Sequence, residues 1–216
     1  MLDNCKKEVL RIAQTAERKG LCITNSGNFS MRDVETGYIL ITPSHVSREN
    51  MSYDDICVLD IDGNIIESKN GRRPSSEVLM HLEIYKMRED INGIAHTHSK
   101  FATAFAVMNK PIPPIVYEAS AYGGTINVSP YARPGTKELS ESIKDTLSKS
   151  KATLLQSHGA VSLGFNIEEA LLNSFYVEDV AEIYWRILTV TGGKEPPIIP
   201  QVEFDKWKYP DQILFK

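Results

Sequence analysis

Residues 91–108 read Ile91-Asn92-Gly93-Ile94-Ala95-His96-Thr97-His98-Ser99-Lys100-Phe101-Ala102-Thr103-Ala104-Phe105-Ala106-Val107-Met108. The first eight have the look of a strand, and the rest form a helix of small and apolar residues. A strand that passes directly into a helix is the unit of an α/β chain. Residues i and i+2 of a strand share a face, so the imidazoles of His96 and His98 can converge on one point.

Working outward from this stretch, strands and helices continue to alternate. Upstream, residues 77–89 carry Val78, Leu79, Leu82 and Tyr85 on one side of a helix, and Pro74-Ser75-Ser76 opens it with capping residues. Short strands are expected at 21–23, 29–31, 38–42 and 56–59. Asp60-Ile61-Asp62-Gly63-Asn64 is a turn before Ile65-Ile66. Residues 3–19 form an amphipathic helix ending at Gly20, with Val9, Ile12, Ala13 and Ala16 at helical spacing. Downstream, Pro111-Ile112-Pro113-Pro114 breaks the chain. Strands are expected at 115–118 and 126–128, and a helix at 136–149. Two further strands, 153–156 and 161–163, flank a turn at Ser157-His158-Gly159. The last long helix starts at Asn166, with Glu169 placed for a capping box, and runs to Gly192-Gly193. From Lys194 the chain is proline-rich and reads as neither a regular helix nor a central strand. The expected division is one domain over 1–193 and a tail, 194–216, that packs on it or on a neighbouring subunit through Trp207, Tyr209, Ile213 and Phe215.

At 216 residues, one domain can bury roughly 70% of its unfolded surface and needs no disulfide staples. A net charge of −4 argues against a general nucleic-acid binder, though not against a small anionic ligand. Cys5, Cys22 and Cys57 are too far apart for a disulfide framework or a cysteine metal site. The N-terminus lacks the apolar core of a secretory signal, and no apolar run reaches membrane-spanning length. A cytoplasmic protein is expected.

His158, in a turn followed by glycine, is a reasonable third partner for His96 and His98. A catalytic zinc site uses three protein ligands with nitrogens about 2.0–2.1 Å from the metal and keeps one position open. Taken alone, a histidine pair at this spacing reads first as ordinary surface or core residues. His81, in mid-helix, reads as a satisfied helical residue, and His45 lies in a polar loop. Pro74-Ser75-Ser76-Glu77 offers hydroxyls and N–H groups at a helix start, which suits an anion such as phosphate. The same pattern also reads as plain capping, with Glu77 favourable to the helix dipole. Asn25-Ser26-Gly27-Asn28 and Thr42-Pro43-Ser44 are loops that complete a phosphate cradle only in combination with the serine pair.

Six motifs in order carry a resemblance: Ser26-Gly27-Asn28-Phe29-Ser30, Ile41-Thr42-Pro43-Ser44, Pro74-Ser75-Ser76-Glu77, His96-Thr97-His98, Tyr131-Ala132-Arg133-Pro134-Gly135-Thr136 and Leu154-Leu155-Gln156-Ser157-His158-Gly159-Ala160. Together they resemble the class II aldolase/adducin family, most closely its fuculose-phosphate aldolase branch, over residues 13–189. The resemblance implies a three-layer α/β/α fold with a mixed, mainly antiparallel central sheet. It also implies a homotetramer with active sites between subunits. Matched by position, His96, His98 and His158 are the zinc ligands and Glu77 is the catalytic acid/base. Gly27, Asn28, Ser44, Ser75 and Ser76 are the phosphate loops, and Tyr117 is a proton donor offered by a neighbouring subunit. The same tyrosine reads from the residues alone as a core residue. Tyr209 matches a second tail tyrosine loosely. His45 departs from the family, which has glycine after this Thr-Pro-Ser loop.

The implied activity is reversible cleavage of a 1-phosphoketose, L-fuculose 1-phosphate or similar, to dihydroxyacetone phosphate and a short aldehyde such as L-lactaldehyde. The alternatives on this scaffold are L-ribulose-5-phosphate 4-epimerase, which typically has aspartate where Glu77 stands, and another sugar-phosphate lyase or dehydratase. An adducin-like interaction module lacks the metal histidines that this chain keeps.

Overall fold

The structure, a computed structural model, describes residues 2–206. It opens with α1 (Leu2–Arg18), whose Val9, Ile12, Ala13 and Ala16 are buried at the spacing the sequence shows. Leu21 N–H returns to the Ala16 carbonyl and ends the helix. Four strands follow: β1 (Asn28–Arg32), β2 (Ile39–Ile41), β3 (Cys57–Leu59) and β4 (Ile65–Glu67). Next come α2 (Val78–Met87), β5 (Gly93–Thr97), α3 (Lys100–Val107), β6 (Asn127–Ser129), α4 (Lys137–Ser142) and α5 (Lys144–Leu147). The chain continues through β7 (Ala152–Leu155), β8 (Gly159–Gly164), α6 (Ile167–Val190) and the single turn α7 (Gln201–Asp205).

The strands form one eight-stranded sheet in the order β4-β3-β2-β1-β5-β8-β7-β6. It is antiparallel throughout except for the β6–β7 pair. Strand alternation makes the layers. On β5, Ile94 joins a core with Met80, Ile84 and Tyr85 of α2 and with Leu139 and Leu147 of α4 and α5. Its neighbour Ala95 joins Ile12 and Ala16 of α1 and Ala170 of α6 on the opposite face. A sheet apolar on both faces must be covered on both, and the outcome is the expected mixed α/β fold of three layers.

Register sets the site. Asn28 of β1 and Val161 of β8 lie opposite His96 on its two sides. The β7–β8 turn that bears His158 therefore ends beside the C-terminal end of β5.

Four expectations are corrected. Residues 21–23 are not a strand, because Ser26 N–H donates to the Ile23 carbonyl while the Ser26 hydroxyl accepts from the Ile23 N–H, which closes the segment into a turn. Residues 115–118 are not a strand either. Prolines 111, 113 and 114 lack the N–H a ladder needs, only Ile112 bridges to Ile126, and the chain enters a 3-10 turn at Tyr117–Ala121. The helix expected at 136–149 is two pieces meeting at Ile143, where Ser140, Ser142 and Thr146 hydroxyls bond to nearby backbone carbonyls. Among its described residues the tail contains one helical turn, α7, after Pro200; Ile199 N–H bonds to the Pro114 carbonyl and Phe204 packs into the core beside α6. Trp207, Tyr209, Ile213 and Phe215 lie outside the described residues.

Candidate active site

Three imidazoles converge at the C-terminal end of β5. Ring centroids are 4.8 Å apart for His96 and His98, 4.7 Å for His96 and His158, and 4.8 Å for His98 and His158. Gly159 makes this possible. A Cβ there would sit 2.4 Å from the Thr97 carbonyl and 3.3 Å from Cε1 of His96, so a side chain would push the β7–β8 turn off the cluster.

The chemistry of these nitrogens suits a metal. His96 Nδ1–H donates to the Ala160 carbonyl at 3.0 Å, which turns Nε2 toward the other two imidazoles. That Nε2 faces His98 Nε2 at 3.0 Å, near the roughly 3.4 Å expected between two nitrogens on one tetrahedral zinc. Burial pushes His98 down to about 3 and His158 down to about 4, so both rings are neutral and can donate lone pairs at neutral pH. His158 Nδ1 is buried without a partner among the described residues. A trio of imidazoles suits zinc far better than magnesium or calcium.

Glu77 is held against this cluster. It occupies the N-cap position of α2, yet its side chain makes no cap bond. Its carboxylate turns inward instead: Oε2 lies 3.0 Å from His96 Nε2 and Oε1 lies 3.2 Å from His158 Nε2. Burial drives its carboxyl up, but the imidazoles of His96 and His158 and the Asn28 amide outweigh that and hold it below the usual carboxylate range. An ionised carboxylate beside a metal site can accept a proton.

A cleft of about 200 Å³ opens from His98, His158 and Glu77 and is walled by Gly27, Asn28, Ser44, Ser75 and Ser76. Two of its loops are zipped together, with Ser44 N–H on the Arg73 carbonyl at 2.9 Å and Ser75 N–H on the Thr42 carbonyl at 3.0 Å. The third is pinned from behind by Arg48, buried, which donates to the carbonyls of Thr24, Ser26 and Gly27 at 2.5, 2.6 and 2.8 Å. Gly27 has a φ of 74°, and a Cβ there would lie 2.5 Å from the His96 carbonyl, so no other residue fits. Among the described residues no lysine or arginine lines the cleft. Besides His98 and His158 the one imidazole on its wall there is His45, at a φ of 57°.

Two sequence assignments look different in the structure. The Asn28 amide is already committed at both ends, donating from Nδ2 to Glu77 at 2.8 Å and taking His81 Nε2 on Oδ1 at 2.5 Å, so its side chain serves Glu77. Tyr117 does not line the cleft. It sits on the 3-10 turn, 47% exposed, with its ring edge-on to Phe204 at 5.9 Å. The sequence marks no site role for His81, Ser30, Tyr85 or Arg48; it reads His81 as a satisfied helical residue, and both its ring nitrogens are indeed hydrogen-bonded. For two of them there was a signal, since Glu77, His81 and Tyr85 recur every four residues on one helix face.

The sequence profile of the Class II Aldolase and Adducin N-terminal domain matches residues 7–185. The chain is 37% identical over 186 residues to an L-fuculose phosphate aldolase of Escherichia coli O157:H7, covering 86% of this chain and 84% of that one. It is 31% identical over 205 residues to a 5-deoxy-D-ribulose 1-phosphate aldolase of Bacillus thuringiensis serovar kurstaki, covering 95% and 94%. Among solved structures, an L-fuculose 1-phosphate aldolase superposes with a TM-score of 0.87 at 33% identity, covering 94% of this chain and 93% of that one.

Proposed function

The chain belongs to the class II aldolase and adducin family, and we propose that it is a zinc-dependent aldolase that reversibly splits a 1-phosphoketose into dihydroxyacetone phosphate and a short aldehyde. The observation that carries this reading is the Glu77 carboxylate, in contact with two of three converged imidazoles at one end of a cleft walled by serine-bearing loops. Relatives named for L-fuculose phosphate and 5-deoxy-D-ribulose 1-phosphate support a deoxyketose 1-phosphate as substrate.

When bound by His96, His98 and His158, zinc supplies Lewis acidity against the negative charge that develops on substrate oxygens as the carbon–carbon bond breaks. The protein's own groups do the rest. Ser44, Ser75, Ser76 and the Gly27 loop hold the phosphate with neutral donors, and this remote binding energy aligns the reacting carbons. Glu77 returns a proton to the carbon beside the ketone in cleavage and removes it in condensation. Tyr117, supplied by the next subunit of a homotetramer, exchanges the proton of the aldehyde's hydroxyl. The described part of the tail, 194–206, packs on the domain through Ile199 and Phe204, and the enzyme works in the cytoplasm. In keeping with this, no helix among the described residues is long and apolar enough to cross a membrane.

The test is to incubate purified, zinc-loaded protein with dihydroxyacetone phosphate and a panel of two- to four-carbon aldehydes, then identify products by mass and stereochemistry. A ketose 1-phosphate from L-lactaldehyde or acetaldehyde is expected. Zinc-loaded protein that condenses none of them contradicts the reading.

A further inference from the structure

Behind Glu77 runs a line of buried polar groups that the reaction as proposed does not use. Tyr85 Oη lies 2.9 Å from Ser30 Oγ, and Ser30 Oγ lies 2.7 Å from His81 Nδ1. His81 Nε2 lies 2.5 Å from Asn28 Oδ1, and Asn28 Nδ2 lies 2.8 Å from Glu77 Oε2. Ser30 and His81 are fully buried and Tyr85 nearly so, which leaves no water to satisfy them.

The direction of every proton in this line follows from its end. Asn28 sets its Nδ2 on Glu77 Oε2 and its Oδ1 on His81 Nε2, and an amide NH₂ only donates while its carbonyl oxygen only accepts. His81 must then donate from Nε2. A buried imidazole held neutral by desolvation, as burial holds this one down to about 3, carries a single proton, so Nδ1 is bare and accepts from the Ser30 hydroxyl. Ser30 in turn accepts from Tyr85, whose phenol burial keeps protonated. The reverse order would set the Asn28 carbonyl against the carboxylate, two acceptors with no proton between them.

We propose that His81, locked as its Nε2–H tautomer by Ser30 and Tyr85, is a positioning residue that fixes the orientation of the Asn28 amide and through it the aim of the Glu77 carboxylate. The role rests on Glu77 being the acid/base of the reaction above. Asn28 and Glu77 are on separate elements, β1 and the start of α2, so their contact is not guaranteed by local geometry. His81, one turn along from Glu77, reaches back across the layer to close the arrangement. A glutamine at 81 preserves the pattern, since its amide can donate to Asn28 and accept from Ser30. A leucine cannot.

The test has two arms. In ¹⁵N-labelled wild-type protein, the His81 ring should show a protonated Nε2 and a bare Nδ1. Protonation at Nδ1, or at both nitrogens, at pH 7 overturns the proposal, and this arm needs no turnover. In the second arm, zinc-loaded His81→Leu should lose roughly tenfold to a hundredfold in kcat with little change in KM, the loss expected of one hydrogen bond to a charged group. His81→Gln should recover most of that. Leucine and glutamine variants that fold, hold zinc and turn over alike overturn the proposal. A wild type without aldolase activity instead defeats the reaction assignment, while the ¹⁵N spectrum still decides the tautomer.

Discussion

Glu77 Oε2 lies 3.0 Å from Nε2 of His96, the same nitrogen that the bond from Nδ1 to Ala160 turns toward the other two imidazoles. Acid/base group and metal ligand are thus in direct contact. Exchanging the carboxylate for an amide keeps the volume and the Asn28 side of the site but removes the proton acceptor. Zinc-loaded Glu77→Gln should fold, keep its metal and lose about 10²–10⁴ in kcat, the usual contribution of a general base. Turnover within threefold of wild type would reduce Glu77 to a structural residue.

The two serines should separate in their kinetics. Ser76 is exposed on the cleft wall, so Ser76→Ala should raise KM roughly tenfold to a hundredfold with kcat nearly unchanged, as one donor to a charged phosphate is lost. Ser75 is buried, and its hydroxyl also accepts from the Glu77 N–H at 3.3 Å. Ser75→Ala should therefore raise KM and lower kcat together. Steady-state kinetics with the phosphorylated substrate reads both, and an unchanged KM in the two variants would move the phosphate elsewhere.

Acid should destabilise the fold through His81. In the unfolded chain this imidazole takes up a proton below about 6.5, while in the folded protein burial holds it neutral down to about 3. The unfolded state thus binds more protons across this window, so stability is full above it and falls as the pH drops. At pH 5 the loss from this one group is about 2 kcal/mol. Urea unfolding at pH 7 and pH 5 should show His81→Gln losing less stability than wild type over that interval. Equal losses would mean that the ring is protonated in the fold.

Tyr117 tests whether sites are shared. Because it lies outside its own chain's cleft, inactive Glu77→Gln chains co-refolded with inactive Tyr117→Phe chains should regain part of the activity, as some interfaces would join both intact groups. Mixed oligomers that stay as inactive as their parents would return Tyr117 to its own subunit.

Much of this was legible in the sequence because the determining signals are local. The alternation of strand and helix from Ile91 to Met108 and the Asn166 cap, whose Oδ1 accepts from Glu169 N–H at 2.8 Å, sit where periodicity and capping place them. The gathering of Ser44, Ser75 and Gly27 around one cleft came from the resemblance, since residues so far apart in sequence show no common signal. Leu21 and Cys22 misled because they are buried like strand residues while their backbone follows a turn. Glu77 stands where a helix-capping acid belongs, and only the fold shows its carboxylate turned inward. The His81 line was hidden for a related reason. Its four-residue spacing marks a helix face, but what that face meets on β1 is set by the sheet register.

The most direct measurement concerns the metal. Purified protein should carry about one zinc per chain, and stripping it with a chelator should abolish formation of a ketose 1-phosphate from dihydroxyacetone phosphate and aldehyde. Adding one equivalent of zinc should restore it in wild type, whereas His96→Ala, His98→Ala and His158→Ala should neither retain zinc nor recover activity. Full activity in metal-free protein, or stoichiometric zinc in all three alanine variants, would contradict the account.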